Sequence, residues 1–196
     1  MASYQPHMKF CPCLLTSSFS SQGILFSTAD CIPTGPALIK LYIHEANRVY
    51  CDKLVEAKDI KTFQGMVVEF VKKGFEELNE PEVFVDPLLY CHFAEGIGES
   101  KYLPVDNWAT MTKLLEEALS QYNDLVAAMN LVLFEDAMHH ICRISRILEA
   151  PRGNALLVGV GGSGKQSLAR LAAFISSLEV FQVQLKKGYS LVDLKV

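Results

Sequence analysis

Apolar residues recur at helical spacing in several stretches between residues 37 and 150. Apolar side chains three and four positions apart lie on one face of a helix, and that face packs against a core. The pattern therefore predicts helices over about 37–79, from about 107, and over about 131–148. The apolar positions that define them are Leu38, Leu41, Tyr42, Val49, Ile60, Phe63, Val67, Phe70, Val71, Leu78, Trp108, Met111, Leu115, Ala118, Leu119, Tyr122, Leu125, Phe134, Ala137, Met138, Ile141 and Leu148.

Residues that stop or start helices divide these stretches. Residues 80–106 contain three prolines and two glycines and predict a connecting segment. Asp106 or Asn107 is placed to cap the helix that follows, and Pro151 and Gly153 end the last one. Residues 1–36 show no periodicity and hold four prolines, so we expect an irregular or disordered N-terminus.

A strand, a glycine-rich loop, a helix and a second strand are predicted at the C-terminal end. Ala155 to Val158 form a short apolar run suited to a buried parallel strand, and Phe181 to Leu185 alternate like another. Between them, one apolar stripe predicts an amphipathic helix. Its members are Leu168, Leu171, Ala172, Ile175 and Leu178.

The loop between the first strand and the helix has the composition of a phosphate-binding loop. Its residues are Gly159, Val160, Gly161, Gly162, Ser163, Gly164, Lys165, Gln166 and Ser167. Glycines allow successive backbone N–H groups to point inward at phosphates, and the helix that follows adds its positive N-terminal end. Lys165 supplies a positive charge for the β- and γ-phosphates. We therefore expect this loop to bind ATP or ADP.

Gln166 departs from the usual pattern, in which a serine or threonine hydroxyl after the lysine binds Mg²⁺. The carbonyl oxygen of a glutamine can also approach a hard cation, and Ser167 follows one position later. Gln166 or Ser167 is thus the candidate magnesium ligand. We expect phosphate binding to be retained and metal-assisted hydrolysis to be weaker.

Composition and charge exclude several other classes of protein. Half of the residues are hydrophobic and the net charge is −4, with no stripe of lysine and arginine, so we expect a globular protein that does not bind nucleic acid. No apolar run reaches the roughly 18 residues that a membrane helix needs. The six cysteines follow no signal peptide, which favours a reduced, cytosolic protein.

Several long strings of residues resemble dynein heavy chains. Residues 131–138 and 147–158, together with the loop, resemble the fourth AAA+ module, and the Lys165-Gln166-Ser167 form is that of axonemal dyneins. Residues 41–50 and 90–99 resemble the end of the third module and the linker into the fourth. The resemblance covers about residues 37–196.

This resemblance implies an α/β fold in which a helical lid and linker precede the first part of a P-loop AAA+ parallel-sheet module. The expected divisions are 37–104 for the lid and linker, 105–150 for helices that lead into the next module, and 151–196 for the nucleotide-binding core. It also implies an adenine pocket at the segment that enters the module. The residues of that pocket are Asn130, Leu131, Val132 and Leu133.

The resemblance further implies a place in the ring of a minus-end-directed microtubule motor of cilia and flagella. The expected location is the cytoskeleton of the axoneme. Expected partners are the other AAA+ modules of the same heavy chain and, through the full-length motor, intermediate and light chains and microtubules.

The chain shows no apolar run ending in Asp-Glu after the loop, and no sensor residues or arginine finger. Phosphoryl transfer needs such groups, so we expect no ATPase activity from this chain by itself. Its strand at 155–158 would have one face open. Two alternatives remain at this stage, namely another class of P-loop NTPase and a non-enzymatic ring segment whose loop stays empty.

Six polar residues share the other side of the helix at 131–148. They are Glu135, Asp136, His139, His140, Arg143 and Arg146. Their i, i+4 spacing predicts a solvated face with local pairs, although the two arginines could instead reach phosphates of a neighbouring module. Adjacent histidines point in different directions on a helix, so the pair does not suit a shared metal ion.

Overall fold

A computed structural model describes residues 31–75, 79–98, 101–150, 152–183 and 190. These residues form six α-helices, one short 3₁₀ turn and one two-stranded sheet. The elements in chain order are α1 (Gly35–Val49), the 3₁₀ turn (Cys51–Lys53), α2 (Ala57–Gly74), α3 (Glu80–Val83), β1 (Leu89–Cys91), β2 (Leu103–Val105), α4 (Trp108–Leu125), α5 (Glu135–Glu149) and α6 (Lys165–Ile175).

Side-chain caps fix where two of the helices begin. Thr34 Oγ1 accepts a hydrogen bond from the Ala37 N–H at 3.4 Å at the start of α1. Asn107 Oδ1 accepts from the Thr110 N–H at 2.8 Å at the start of α4. Each cap satisfies one of the N–H groups that the first turn leaves without an intrahelical partner. Asn107, one of the two predicted caps, therefore begins α4.

The main core lies where α4, α5 and α6 pack together with the β-hairpin. Met111, Leu115, Ile141 and Leu171 are completely buried there. The stripes predicted for α4 and α6 are confirmed at nearly every inward position. Leu125 and Leu178 are exceptions: Leu125, the last residue of α4, is 75% exposed, and Leu178 lies beyond the end of α6 at Ile175 and is 47% exposed.

The hairpin was predicted only as a connecting segment. β1 and β2 pair antiparallel, with Leu89 opposite Val105 and Cys91 opposite Leu103. All three residues of β1 are buried. Strands of three residues carry too little alternation to stand out in a sequence, and Pro104 in β2 is a residue that usually argues against a strand.

The buried face of α1 differs from the predicted one. Leu41 is buried as predicted, but Leu38 is 43% exposed, and Ile39, Ile43 and Ala46, which were not predicted, are buried. The helix packs against α3 and β1, so it buries a wider surface than one apolar stripe. On α2, Phe63 and Val71 are buried as predicted. Leu78 lies outside the described residues.

The prediction of a buried strand at 155–158 is wrong for the described part of the chain. Leu156 is 89% exposed and Val158 is 86% exposed, and neither this segment nor 181–183 pairs with a strand there. A parallel strand is held by hydrogen bonds to its neighbours, and no described strand lies beside either segment. The expectation of an open face at 155–158 agrees with this exposure. Residues 184 and 185 lie outside the described residues.

The prediction of a solvated face with local pairs on α5 holds for Glu135, Asp136 and His140, which are exposed, but it is wrong for Arg143 and Arg146. Arg146 Nε donates to Glu45 Oε1 of α1 at 3.2 Å, and its Nη2 contacts Oε2 of the same carboxylate. Tyr102 donates its hydroxyl to Glu45 Oε1 at 2.8 Å. Arg143 reaches Asp52 Oδ1, in the turn after α1, at 3.1 Å. The two arginines of α5 thus contact α1 and the turn after it instead of pairing along their own helix.

Arg146→Met should lower the free energy of unfolding by about 3 kcal/mol. Methionine keeps an apolar stem, but it leaves the Glu45 carboxylate, whose side chain is 3% exposed, without its charge partner. Urea denaturation of the purified chain measures the change. Lys73→Met is the control, because it removes an exposed ion pair with Glu69, and its unfolding midpoint should match that of the unmodified chain. Equal midpoints for Arg146→Met and the control would contradict the prediction.

The stability of the fold should decrease as the pH falls from 7 to 5. His44 is buried, and its Nδ1 lies 3.1 Å from the Leu88 carbonyl oxygen. Burial, with a further contribution from Arg48, lowers the pKa of His44 to about 3. The unfolded chain, with a histidine pKa of about 6.5, therefore takes up a proton first, and stability is lost progressively below that pH.

Between pH 7 and pH 5 this linkage corresponds to a loss of about 2 kcal/mol from His44. Urea unfolding at the two pH values checks it. The variant His44→Gln, whose amide can donate to the Leu88 carbonyl oxygen without titrating, should lose less stability over the same interval. An unchanged pH dependence in that variant would contradict the assignment to His44.

Candidate nucleotide-phosphate site

Two glycines in left-handed backbone conformations shape the loop in front of α6. Gly162 has φ of 78°, and Gly164, the residue before the helix, has φ of 78° and ψ of 2°. Residues with a Cβ adopt this region at a cost, whereas glycine does not. These two positions turn the chain so that it enters the helix directly after the loop.

The N-terminus of α6 has no side-chain cap. Its first intrahelical bond runs from the Leu168 N–H to the Gly164 carbonyl oxygen at 2.9 Å. The N–H groups of Lys165, Gln166 and Ser167 precede that bond and so have no intrahelical acceptor. Together with the helix dipole they form a site suited to an anion. Leu171 and Ala172 are buried in the core and fix the direction in which this end points.

Lys165 folds over the loop. Its Nζ donates to the Gly159 carbonyl oxygen at 2.7 Å, to the Val160 carbonyl oxygen at 2.5 Å and to Ser163 Oγ at 3.0 Å. An ammonium group has three protons to donate, and these three acceptors match that number. The positive charge is therefore held at the mouth of the loop.

The loop leaves space where a phosphate would approach. A Cβ on Gly161, Gly162 or Gly164 would meet nothing within 4 Å. A Cβ on Gly159 would lie 3.0 Å from Ser163 Oγ and 3.4 Å from Lys165 Nζ, so a side chain there would crowd the lysine. The residues present fit an anion bound by backbone N–H groups.

The candidate magnesium ligands stand in the first turn of α6. Gln166 is exposed and Ser167 is half-buried. Both offer a neutral oxygen, the type of ligand that Mg²⁺ accepts beside phosphate oxygens. Across the described ranges, no group of three or more His, Cys, Asp or Glu residues is arranged to hold a metal ion.

Along the candidate adenine segment, residues 130–133, exposed and half-buried side chains alternate. The segment precedes α5, which begins at Glu135 and not at 131 as predicted. Leu131 and Leu133 are half-buried and pack against the main core, while Asn130 and Val132 are exposed. Leu168 of α6 packs against the same core. The segment and the helix that follows the loop are thereby held by one set of buried side chains.

Comparison with known proteins finds two family models that match separate parts of the chain. The model described as the P-loop containing dynein motor region D4 matches residues 129–195, and that of an AAA+ lid domain matches residues 7–85. Dynein axonemal heavy chain 9 of Homo sapiens is 58% identical over 176 residues, which is 89% of this chain and 4% of that relative. The chain belongs to the dynein heavy chain family.

Other dynein heavy chains match over a similar range. The ciliary dynein beta chain of Tripneustes gratilla is 57% identical over 175 residues, and the alpha chain of the flagellar outer arm of Chlamydomonas reinhardtii is 44% identical over 178 residues. Each match covers 89% of this chain and 4% of the relative. This dynein chain therefore spans about 4% of the length of these relatives.

These matches confirm the resemblance and the fold class expected from the sequence, an AAA+ lid followed by a dynein P-loop region. They also exclude the alternative of another class of P-loop NTPase. The lid match begins at residue 7, inside the first 36 residues, for which the sequence offered no resemblance. No helix within the described ranges is long and apolar enough to cross a membrane.

Arg48 and Asp52 were not among the residues singled out by the sequence pattern. They form an ion pair of 3.3 Å at i, i+4 spacing, and Asp52 also binds Arg143 of α5. Opposite charges four residues apart were the available signal. Such pairs are common on solvated helices, so the signal does not stand out. Arg143 joins this pair only because α5 packs against the α1 region.

Gly164→Ala should lower the free energy of unfolding by about 1 kcal/mol, because alanine must adopt the left-handed conformation that glycine holds here. Gly161→Ala is the matched control, since that position has open space and no positive φ. Thermal unfolding of both variants measures the difference. Equal melting temperatures would show that the loop does not need the left-handed conformation.

Proposed function

We propose that the loop formed by residues 159–167 binds the phosphates of ATP or ADP. The observation that carries this proposal is the uncapped N-terminus of α6, which lies behind two left-handed glycines and beside the ammonium group of Lys165. Backbone N–H groups, the helix dipole and one lysine charge then act on the same anion. The match of residues 129–195 to the P-loop containing dynein motor region D4 supports it.

In this proposal Lys165 exchanges its bonds to the loop carbonyls for bonds to phosphate oxygens. A bond from the ammonium group to a negatively charged phosphate oxygen is stronger than one to a neutral carbonyl, so the exchange is favourable. Gln166 or Ser167 would be the protein ligand of Mg²⁺, and the segment 130–133 would border the adenine. Val132, which is exposed, offers an apolar surface to the base.

We further propose that this segment works within the ring of a microtubule motor in the axoneme of cilia or flagella. Relatives named as axonemal, ciliary and flagellar outer-arm dyneins support that location. Within the ring, the lid and the P-loop region would contact other AAA+ modules of the same heavy chain. Intermediate chains, light chains and microtubules would be partners of the full-length motor.

A second candidate function is a structural segment of the ring whose loop stays empty. The three hydrogen bonds of Lys165 to the loop favour it, because they already satisfy the ammonium group that a phosphate would recruit. The glutamine after the lysine favours it as well, since the usual hydroxyl ligand of Mg²⁺ is replaced.

Calorimetric titration of the purified chain with ATP and with ADP tests the proposal and separates the two candidates. Lys165→Ala should weaken binding at least tenfold, because it removes charge-assisted bonds worth about 1.5–3 kcal/mol each. Lys113→Ala is the control, since Lys113 is an exposed lysine of α4, and it should bind like the unmodified chain. Gln166→Thr should make binding depend more strongly on Mg²⁺.

Binding that Lys165→Ala leaves unchanged would place the nucleotide elsewhere and overturn the role of the loop. Heat signals absent from both proteins would favour the structural candidate. A Mg²⁺ dependence that Gln166→Thr does not alter would remove Gln166 from the metal site.

A further inference from the structure

A cavity of about 670 Å³ lies on the other side of α5, away from the phosphate loop. It is bordered by α1, α2, the segment before β1 and the beginning of α4. Its volume falls in the range of about 300–1,000 Å³ that small-molecule sites occupy. The cavity shares no lining residue with residues 159–167 or 130–133.

Two arginines in this cavity share one carboxylate oxygen. Arg48 Nη2 lies 3.3 Å from Asp52 Oδ1, and Arg143 Nη2 lies 3.1 Å from the same atom. A guanidinium group has five N–H donors, so one shared oxygen leaves most of them unused. The Nε atoms of both arginines are buried and have no hydrogen-bond partner among the residues that the structure describes.

His139 adds a third polar atom without a partner. Its Nδ1 is buried and makes no hydrogen bond within the described ranges. Burial, followed by the charges of Arg48 and Arg143, lowers the pKa of His139, so the imidazole is neutral at pH 7. The neutral ring of His139 therefore adds no charge beside the two arginines.

Positive charge is in excess where these side chains meet. Arg48 and Arg143 face one carboxylate, that of Asp52, while the charge of the nearby Arg146 is balanced by Glu45. Asp86 also lines the cavity, but it forms no ion pair with either arginine in the described part of the chain. Burial lowers the pKa of Arg48, as expected for a cation whose lost hydration is incompletely replaced. An anion would restore the balance.

The apolar walls of the cavity indicate that the rest of the ligand is apolar. Leu54, Ile60, Phe84 and Trp108 supply apolar surface beside the arginines. The ring of Trp108 stands edge-on to the ring of His139, with centroids 4.8 Å apart. A hydrated inorganic ion would gain nothing from these walls, whereas an apolar group would.

We propose that this cavity binds a small carboxylate carried on an aromatic or aliphatic body. The carboxylate lies against the terminal N–H groups of Arg48 and Arg143 that Asp52 leaves unused, because a guanidinium group matches the two oxygens of a planar carboxylate. The apolar body lies between Trp108 and Phe84. The cavity is thus a second ligand site, at the contact between the lid helices and α5.

The test uses the full chain labelled with ¹⁵N and follows the arginine Nε–H resonances during titration. Phenylacetate is the probe, and phenylacetamide is its neutral control of the same shape. Arg48→Lys and Arg143→Lys identify the two resonances. Phenylacetate should shift both resonances saturably with a dissociation constant on the order of 1 mM, and phenylacetamide should not.

Two substitutions and one further anion complete the design. Arg143→Met should weaken phenylacetate binding at least tenfold, whereas Arg152→Met, at an exposed arginine outside the cavity, should not change it. The amide spectrum of each variant verifies its fold, and the comparison of phenylacetate with phenylacetamide needs no variant. Inorganic phosphate should bind more weakly than phenylacetate, because it cannot use the apolar walls.

Equal shifts with phenylacetate and phenylacetamide would overturn the proposal, since the arginines would then play no part. Phosphate binding as tight as that of phenylacetate would overturn the role of the walls. Resonances that do not move at tens of millimolar phenylacetate would show that the two arginines serve only to join α1 to α5.

Discussion

The buried ion pair between Glu45 and Arg146 joins the two parts of the described structure, because Glu45 belongs to α1 and Arg146 to α5. Tyr102, just before β2, donates to the same carboxylate and brings the hairpin into the contact. Removing a carboxylate and a guanidinium group from water is costly unless each keeps its partners, so these three groups hold α1, the hairpin and α5 in one arrangement.

Helix α5 contacts the elements that form both candidate sites. Its apolar side, with Ile141 and Ile144, packs into the core that also holds α6 and thereby positions the phosphate loop. Its polar side, with Arg143 and Arg146, contacts the α1 region and closes one wall of the arginine-lined cavity. A ligand on either side would therefore act on the same helix. The α1 region, which matches the AAA+ lid model, is thus in direct contact with the helix that precedes the glycine-rich loop.

The sequence predicted elements whose signals are local. The stripes of α4 and α6, the cap at Asn107 and the glycine loop were all visible, because each depends on residues within one or two turns. The hairpin was missed because three-residue strands show little periodicity. The buried face of α1 was misplaced because His44 and Glu45 look like surface residues until their partners, Leu88 and Arg146, are known. The strand at 155–158 was expected from composition, but a strand forms only where a neighbour supplies its hydrogen bonds.

The sequence by itself determined the family, the position of the candidate phosphate loop and the helices around it, since these follow from glycine geometry, from one lysine and from apolar spacing. The tertiary structure decided which polar residues face water and which are buried. Arg146 of α5 and Glu45 of α1 stand far apart in sequence, and no local pattern links them. Only packing brings them together, because the free energy of a buried charge depends on a partner that may come from anywhere along the chain.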